Sequence, residues 1–271
     1  MKPRLQRRVQ RYGWDLAASD YETLWQTQLA QAQTGLLAAA SLASGEQVLD
    51  VACGTGLVSL QAARAVGSSG QVLGVDLSGH MVEAAARCAA DDGLSNVDFM
   101  RMDGEALTLP DAGFDVALCA LGLMYMPEPG QSLQEMHRVL TPGGRLGLAV
   151  WGERARCAWS AVFPIVDAEV ASEVCPLFFR LGQESVLARL CEDAGFHAVT
   201  QQRISATLDY ANADQACNAA FVGGPVALAW AHFDHDTRER VRSRYLQAIA
   251  PWRQGQSYRV PVEFVLVSAL R

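Results

Sequence analysis

The sequence predicts an α/β fold, a mostly parallel sheet with helices on both faces, and three observations carry that prediction. Short apolar runs recur at residues 48–51, 71–77, 114–121 and 145–150, and this is how strands covered on both faces read. Helical patterns stand between them at 57–66, 81–90 and 131–140, as crossover connections between parallel strands require. The first run also stops at a glycine turn, Gly54-Thr55-Gly56, that leads straight into a helix.

That turn is where a ligand is expected. Glycines at Gly54 and Gly56 let the backbone bend sharply and approach a bound molecule, and the following helix start offers free N–H groups at the carboxyl edge of the sheet. Two ligand classes use such a turn. A dinucleotide site wants a third glycine, and Ser59 stands in its place. The pattern Asp50-x-Ala52-Cys53-Gly54-Thr55-Gly56 instead resembles the first motif of the class I S-adenosylmethionine (SAM) dependent methyltransferases, and its DVACGTG form is similar to the ubiquinone/menaquinone-biosynthesis methyltransferase group. Ala52 takes the place of the family's first glycine, one small residue for another. The resemblance implies a Rossmann-like, seven-stranded sheet whose last strand is antiparallel at the edge. It also implies SAM as cofactor, S-adenosyl-L-homocysteine as product, and Asp50, Ala52, Gly54 and Gly56 among the cofactor contacts.

Composition narrows the partner. The 271 residues are 50% apolar, enough for a sizeable core, and we expect one globular unit. A net charge of -7 argues against nucleic acid, whose phosphates demand a basic surface, and favours a small-molecule acceptor. The seven cysteines show neither C-x-x-C pairs nor metal-like spacing, so reduced thiols, a cytoplasmic setting and no metal are expected. Lys2, Arg4, Arg7, Arg8 and Arg11 precede no apolar stretch and read as a solvated segment, with an anionic substrate or membrane surface as the alternative contact. No run is long enough to insert in a membrane. Monomer and homodimer both remain open.

Taken in order, residues 1–42 read as an N-terminal cover of one or two helices, with a start near Asp20. In the resembled family such helices fold over the cofactor, which implies that Tyr12 and Tyr21 cover it and that Trp14 faces the acceptor. Residues 43–152 form the cofactor-binding core. The second strand ends in Asp76, placed 20 residues after Gly56 to accept two hydrogen bonds from a ribose diol, while Ser78 is free to cap the next helix. By resemblance Leu77 and Met81 wall the adenine. The segment 102–115, MDGEALTLPDAGFD, matches a family motif and implies that Asp103, with Gly104 and Glu105, reads the adenine edge; Ala120 ends the fourth strand against the cofactor.

The loop after that strand, Gly122 to Pro127, lies in this family between the methyl group and its acceptor. It is almost wholly apolar, with Tyr125 as its polar side chain and candidate orienting residue. His137 lies on the next helix and reads as a surface residue. The segment EMHRVLTPGGRL at 135–146 repeats a family signature around a proline-glycine turn. Residues 153–181 are too apolar for a linker and read as a cap over the acceptor, with Leu177, Phe178 and Phe179 among its apolar positions. The C-terminal half, 182–271, supplies two more strands and an inserted helical segment, 211–252, broken at Gly223-Gly224-Pro225. The acceptor pocket is expected from Trp14, Tyr125, Trp151, Phe178 and Phe221, and a general base, if one is used, from His232 or His235. The function so read is methyl transfer from SAM to an O, N or C atom of a small aromatic or apolar metabolite. Two rivals stay in view: a nicotinamide-dependent oxidoreductase, and a SAM-binding protein without catalysis.

Overall fold

The computed structural model describes residues 3–170 and 178–271. Eight strands form one sheet: β1 (Gln47–Val51), β2 (Gln71–Asp76), β3 (Val97–Arg101), β4 (Phe114–Ala120), β5 (Leu140–Trp151), β6 (His197–Tyr210), the two-residue β7 (Arg253–Gln254) and β8 (Ser257–Leu270). Their order is β3-β2-β1-β4-β5-β8-β6, with β7 as a short hairpin arm on β8. The pairs from β3 through β5 are parallel, and β8 runs antiparallel to both of its neighbours.

Two expectations are corrected here. An extra two-residue strand brings the sheet to eight, and β8 lies inside it between β5 and β6, not at its edge. The run from Val262 to Val267 is buried throughout, as a strand with neighbours on both sides must be. Pro261, read as an edge signal, keeps part of its meaning: the β5 pairing ends at Trp151 opposite Phe264, so Pro261 sits beyond it, opposite Thr207 of β6 alone.

The N-terminal cover is one helix, α1 (Pro3–Ala40), 38 residues long, and the basic segment is its first turns. No proline or glycine pair interrupts the sequence there, and the alanine-rich second half favours continuation. Trp25, Leu29, Ala32, Leu36 and Ala40 recur every three or four residues and are buried against the sheet. The other helices are α2 (Ser59–Val66), α3 (Gly79–Asp91), α4 (Pro129–Val139), α5 (Val162–Asp167), α6 (Val186–Asp193), α7 (Ala213–Phe221), α8 (Ala227–His232) and α9 (His235–Ile249). Ser78 caps α3 as expected, its Oγ accepting from the Met81 N–H at 3.1 Å.

His137 is half-buried, not a surface residue; its ring meets Phe196 edge-on at 5.0 Å, and burial lowers its pKa. The described cysteines are free thiols, and burial pushes Cys119 up to about 12. Among the described residues no helix is long and apolar enough to cross a membrane, and no group of three His, Cys, Asp or Glu side chains is placed to hold a metal.

Candidate active site

The carboxyl ends of β1, β2, β4 and β5 open into a cleft of about 970 Å³, part of it open to solvent, roofed by α1. Its floor is the strand-glycine-helix unit predicted from sequence. Gly54 lines the cleft at φ +55°, whereas Gly56, expected among the cofactor contacts, does not; it sits at φ +88° behind the turn, where a Cβ would meet Phe99, Ala85 and Leu60. Asp76 stands at the tip of β2, where its Oδ2 accepts from the Gly54 N–H at 3.0 Å and its Oδ1 from the Ser78 N–H at 2.8 Å. Those two bonds fix the carboxylate and leave it further lone pairs, so it can still take a pair of ligand hydroxyls from the cleft it lines. Burial raises its pKa, opposed by the two backbone donors.

Asp50 lies deeper, 1% exposed. Ser59 Oγ donates to its Oδ2 at 2.6 Å, while Oδ1 has no partner among the described residues. Burial, helped by the nearby Asp76 charge, pushes Asp50 up to about 7. Ser59, which in the sequence only broke a dinucleotide pattern, therefore has a role of its own: it partners the buried acid. Asp50 does not line the main cleft; it borders a smaller cavity behind the glycine turn, shared with Tyr21, Ala52, Gly54 and Ala120.

Across the cleft Asp103, Gly104 and Glu105 follow β3, and Leu77 and Met81 line the wall beside them. Asp103 Oδ1 accepts from the Glu105 N–H at 3.0 Å, and its Oδ2 lies 3.2 Å from Arg7 Nε. Glu105, nearly fully buried, takes Arg7 Nε at 2.6 Å and the Glu128 N–H at 2.6 Å, so it ties the start of α1 to the start of α4. Its side chain is thus committed to structure. Sequence reasoning left Arg7 in a solvated segment; here it closes one end of the cleft.

The roof is a single helical face. Arg7, Gln10, Trp14, Tyr21, Trp25 and Leu29 line the cleft at steps of three, four and seven residues. Once α1 is one helix, that spacing is the signal by which Arg7, Gln10 and Trp25 are found. Tyr12, two residues from Trp14 and so on the opposite side, is 47% exposed under the Arg11 guanidinium and does not line the cleft.

The acceptor end is aromatic. Trp14 meets Tyr21 at 5.7 Å and Tyr125 at 5.0 Å, and Tyr125 meets Phe178 at 5.2 Å. Trp151 and Trp159 pack at 5.0 Å, with Trp25 edge-on to both. The indole N–H groups of Trp25 and Trp159, both lining residues, are buried without a partner among the described residues. Phe178 stands behind Tyr125 without itself lining the cleft.

Two further expectations are corrected. Phe221 is fully buried away from the cleft, stacked on Trp230 at 4.5 Å; the wall is made by Gly223, Gly224 and Pro225 just after it. His232 is exposed at the end of α8 with Nδ1 on the Leu228 carbonyl at 2.7 Å, and His235 is exposed at the start of α9, so neither reaches the reacting centre. Leu177 lies outside the described residues.

Strain marks where the two loops meet. Ala52 and Leu121 hold φ of +58° and +59°. A Cβ on Gly122 would overlap the Ala52 Cβ and come within 3.2 Å of Cys119 Sγ. Gly122→Ala is therefore expected to destabilise by about 1–3 kcal/mol, lowering the thermal midpoint by several degrees, and Ala52→Gly in the same chain to restore part of the loss. Equal loss with and without the second change would show that Ala52 is not what the new methyl strikes.

Residues 48–144 match a family model described as a methyltransferase domain. The ubiquinone/menaquinone biosynthesis C-methyltransferase UbiE of Pseudomonas paraeruginosa is 33% identical over 188 residues, 68% of this chain and 72% of that one. The protein of the same name from Hahella chejuensis is 40% identical over 104 residues, 38% of this chain and 42% of that one. The chain spans about half the length, or less, of several such relatives. Among solved structures, the YcgJ protein of Bacillus subtilis shares the fold at a TM-score of 0.63 and 19% identity, covering 89% of this chain and 98% of that one.

Proposed function

The chain belongs to the family of SAM-dependent methyltransferases, and from that premise we propose that its cleft moves the methyl group of SAM to a ring carbon of a small, electron-rich aromatic acceptor, quinol-like in kind. The observation that carries this reading is the joining of the two halves of the cleft: the Asp76 carboxylate held at the glycine turn, beside an acceptor end walled by Trp14, Tyr125, Trp151 and Trp159.

The residues fit the cofactor. Asp76 offers lone pairs for a ribose diol, Leu77 and Met81 an apolar wall for a flat base, Asp103 a carboxylate at its edge, and Ala52, Gly54, Gly104 and Ala120 the close backbone approach. Bound there, SAM supplies the methyl as an activated sulfonium electrophile. The chain has to orient the acceptor in line with that methyl and keep water out. Among the described residues neither histidine nor lysine lines the cleft, and Glu105 and Asp103 face Arg7. Tyr21, raised by burial and by Asp76, stays a neutral phenol. With no imidazole or amine among the described lining residues to draw off a proton before attack, an acceptor that is already electron-rich suits the site better than an amine or alcohol needing activation. The ring proton displaced as the new C–C bond forms and the S–CH3 bond breaks leaves to solvent at the open side of the cleft. Tyr125, at the acceptor end of the cleft, is the polar side chain that orients the acceptor. The relatives named C-methyltransferase support a carbon acceptor.

The test is thermal unfolding with S-adenosylhomocysteine, SAM or NADH, followed by transfer from methyl-labelled SAM to a hydroquinone under reducing conditions. A ligand at about 100 times its dissociation constant stabilises by roughly 2.7 kcal/mol, worth about 5–10 °C for a chain of this size. A shift with S-adenosylhomocysteine and not NADH, with label in the hydroquinone, is expected. A shift with NADH alone would instead favour an oxidoreductase, and cofactor binding without label in any acceptor would favour a binding protein.

A further inference from the structure

We propose that the outer face of the first four turns of α1 docks on an anionic lipid surface. Leu5, Tyr12 and Leu16 are 42%, 47% and 49% exposed, and they make up three of the five well-exposed large apolar side chains among the described residues. Spaced by seven and four residues, they fall within about 40° of one another around the helix. This stripe lies opposite the face of α1 that lines the cleft.

Charge completes the match. From Pro3 to Leu16 the helix carries four arginines and one acid, Asp15, which accepts a hydrogen bond from Ser78 Oγ at 2.6 Å, in a chain whose net charge is -7. Arg7 is neutralised by Asp103 and Glu105, but Arg4 and Arg8 border one side of the apolar stripe, are exposed, and make no ion pair among the described residues. Arg11 stacks on the Tyr12 ring at 4.6 Å, giving that aromatic side chain a cationic rim. An apolar stripe edged by arginine is what a helix lying in a headgroup layer presents. Three partly exposed side chains fall far short of the ~800 Å² per partner that a stable protein interface buries. No described helix is apolar and long enough to cross the bilayer, so contact is at the surface. The inference stands apart from the reaction, although it would bring the roof of the cleft to the phase in which an apolar acceptor dissolves.

The experiment is co-sedimentation of the full chain with phosphatidylcholine vesicles that do or do not contain phosphatidylglycerol. Binding is expected with the anionic vesicles alone, and loss of most of it near ~1 M NaCl, where the screening length falls to about 3 Å. Arg4→Glu with Arg8→Glu should weaken binding by about 25-fold or more, since each arginine contributes about fivefold. Leu5→Ser with Leu16→Ser should weaken it by about tenfold. Both pairs are exposed, so their thermal midpoints and S-adenosylhomocysteine shifts should match wild type. Wild-type protein left in the supernatant with anionic vesicles, or pelleted equally by neutral ones, overturns the proposal. So does a dimer, seen by light scattering, that Leu5→Ser with Leu16→Ser dissolves, because the stripe's occupant would then be a second copy.

Discussion

Replacing Asp76 by alanine is expected to weaken S-adenosylhomocysteine binding by at least ~100-fold, with little loss of fold. Hydrogen bonds to a charged group contribute about 1.5–3 kcal/mol each, so losing two to a ribose diol amounts to roughly 3–6 kcal/mol. The substitution also frees the Gly54 and Ser78 N–H groups, which loosens the glycine turn at the same point. Stability should change far less, because burial already disfavours this carboxylate and its removal relieves repulsion from Asp15 and Asp50. Asp76→Asn keeps an acceptor oxygen for one backbone donor and should fall between the two. Calorimetric titration beside a thermal melt separates these effects: unchanged affinity would contradict the ribose assignment, and collapse of the melt would show Asp76 to be structural.

The half of the site that sequence reading located is the half written in contiguous residues. A buried strand, a glycine turn and a helix fall within residues 47–66, and the second strand delivers Asp76 to the same edge by the rule that parallel neighbours keep register, here Asp50 beside Gly74 and Val51 beside Val75. The roof was not legible in this way. Which face of α1 points inward depends on what it packs against, and choosing Tyr12 beside Trp14 ignored that residues two apart lie on opposite sides of a helix. Leaving the cover as one or two helices, with a start near Asp20, hid the alignment of Arg7 with Trp25. Phe221 and His232 failed for a related reason. Both sit in helical segments, α7 and α8, that pack on α1 from the other end of the chain, with α7 also held by α9 and β8, so their chemistry gave no clue to distance from the cleft.

Strand order shows the same limit. The last strand's apolar run was visible, but whether it sits at an edge or between two neighbours is decided by pairing with β5 and β6, which no local pattern encodes. Its continuous burial, in place of the alternation of a half-solvated edge, was the usable sign.

The second large effect expected is a fall in stability of the ligand-free protein as pH rises from about 5 to about 8, clearly smaller in Asp50→Asn. Folded Asp50 keeps its proton up to about 7, whereas an unfolded aspartate loses it near ~3.9. Between those values the native state binds the extra proton, so this contribution is complete below the unfolded pKa and lost as pH climbs through the folded one. At about 1.36 kcal/mol per pKa unit, the roughly two units of that span above pH 5 amount to about 3 kcal/mol, or on the order of 5–10 °C in the melt. Asp76, also raised, acts in the same direction. His137 acts in the other: burial lowers its pKa, so its part improves as pH approaches the unfolded value near 6.5. Glu46 and Glu135, held down by Arg145 and Arg138, lose stability only as pH falls below the ordinary carboxylate range. Subtracting the Asp50→Asn profile from wild type therefore isolates one group. A difference that falls between pH 5 and 8 assigns the slope to Asp50; parallel profiles would mean that the unpartnered Oδ1 is solvated in solution and that the carboxyl ionises normally beneath the glycine turn.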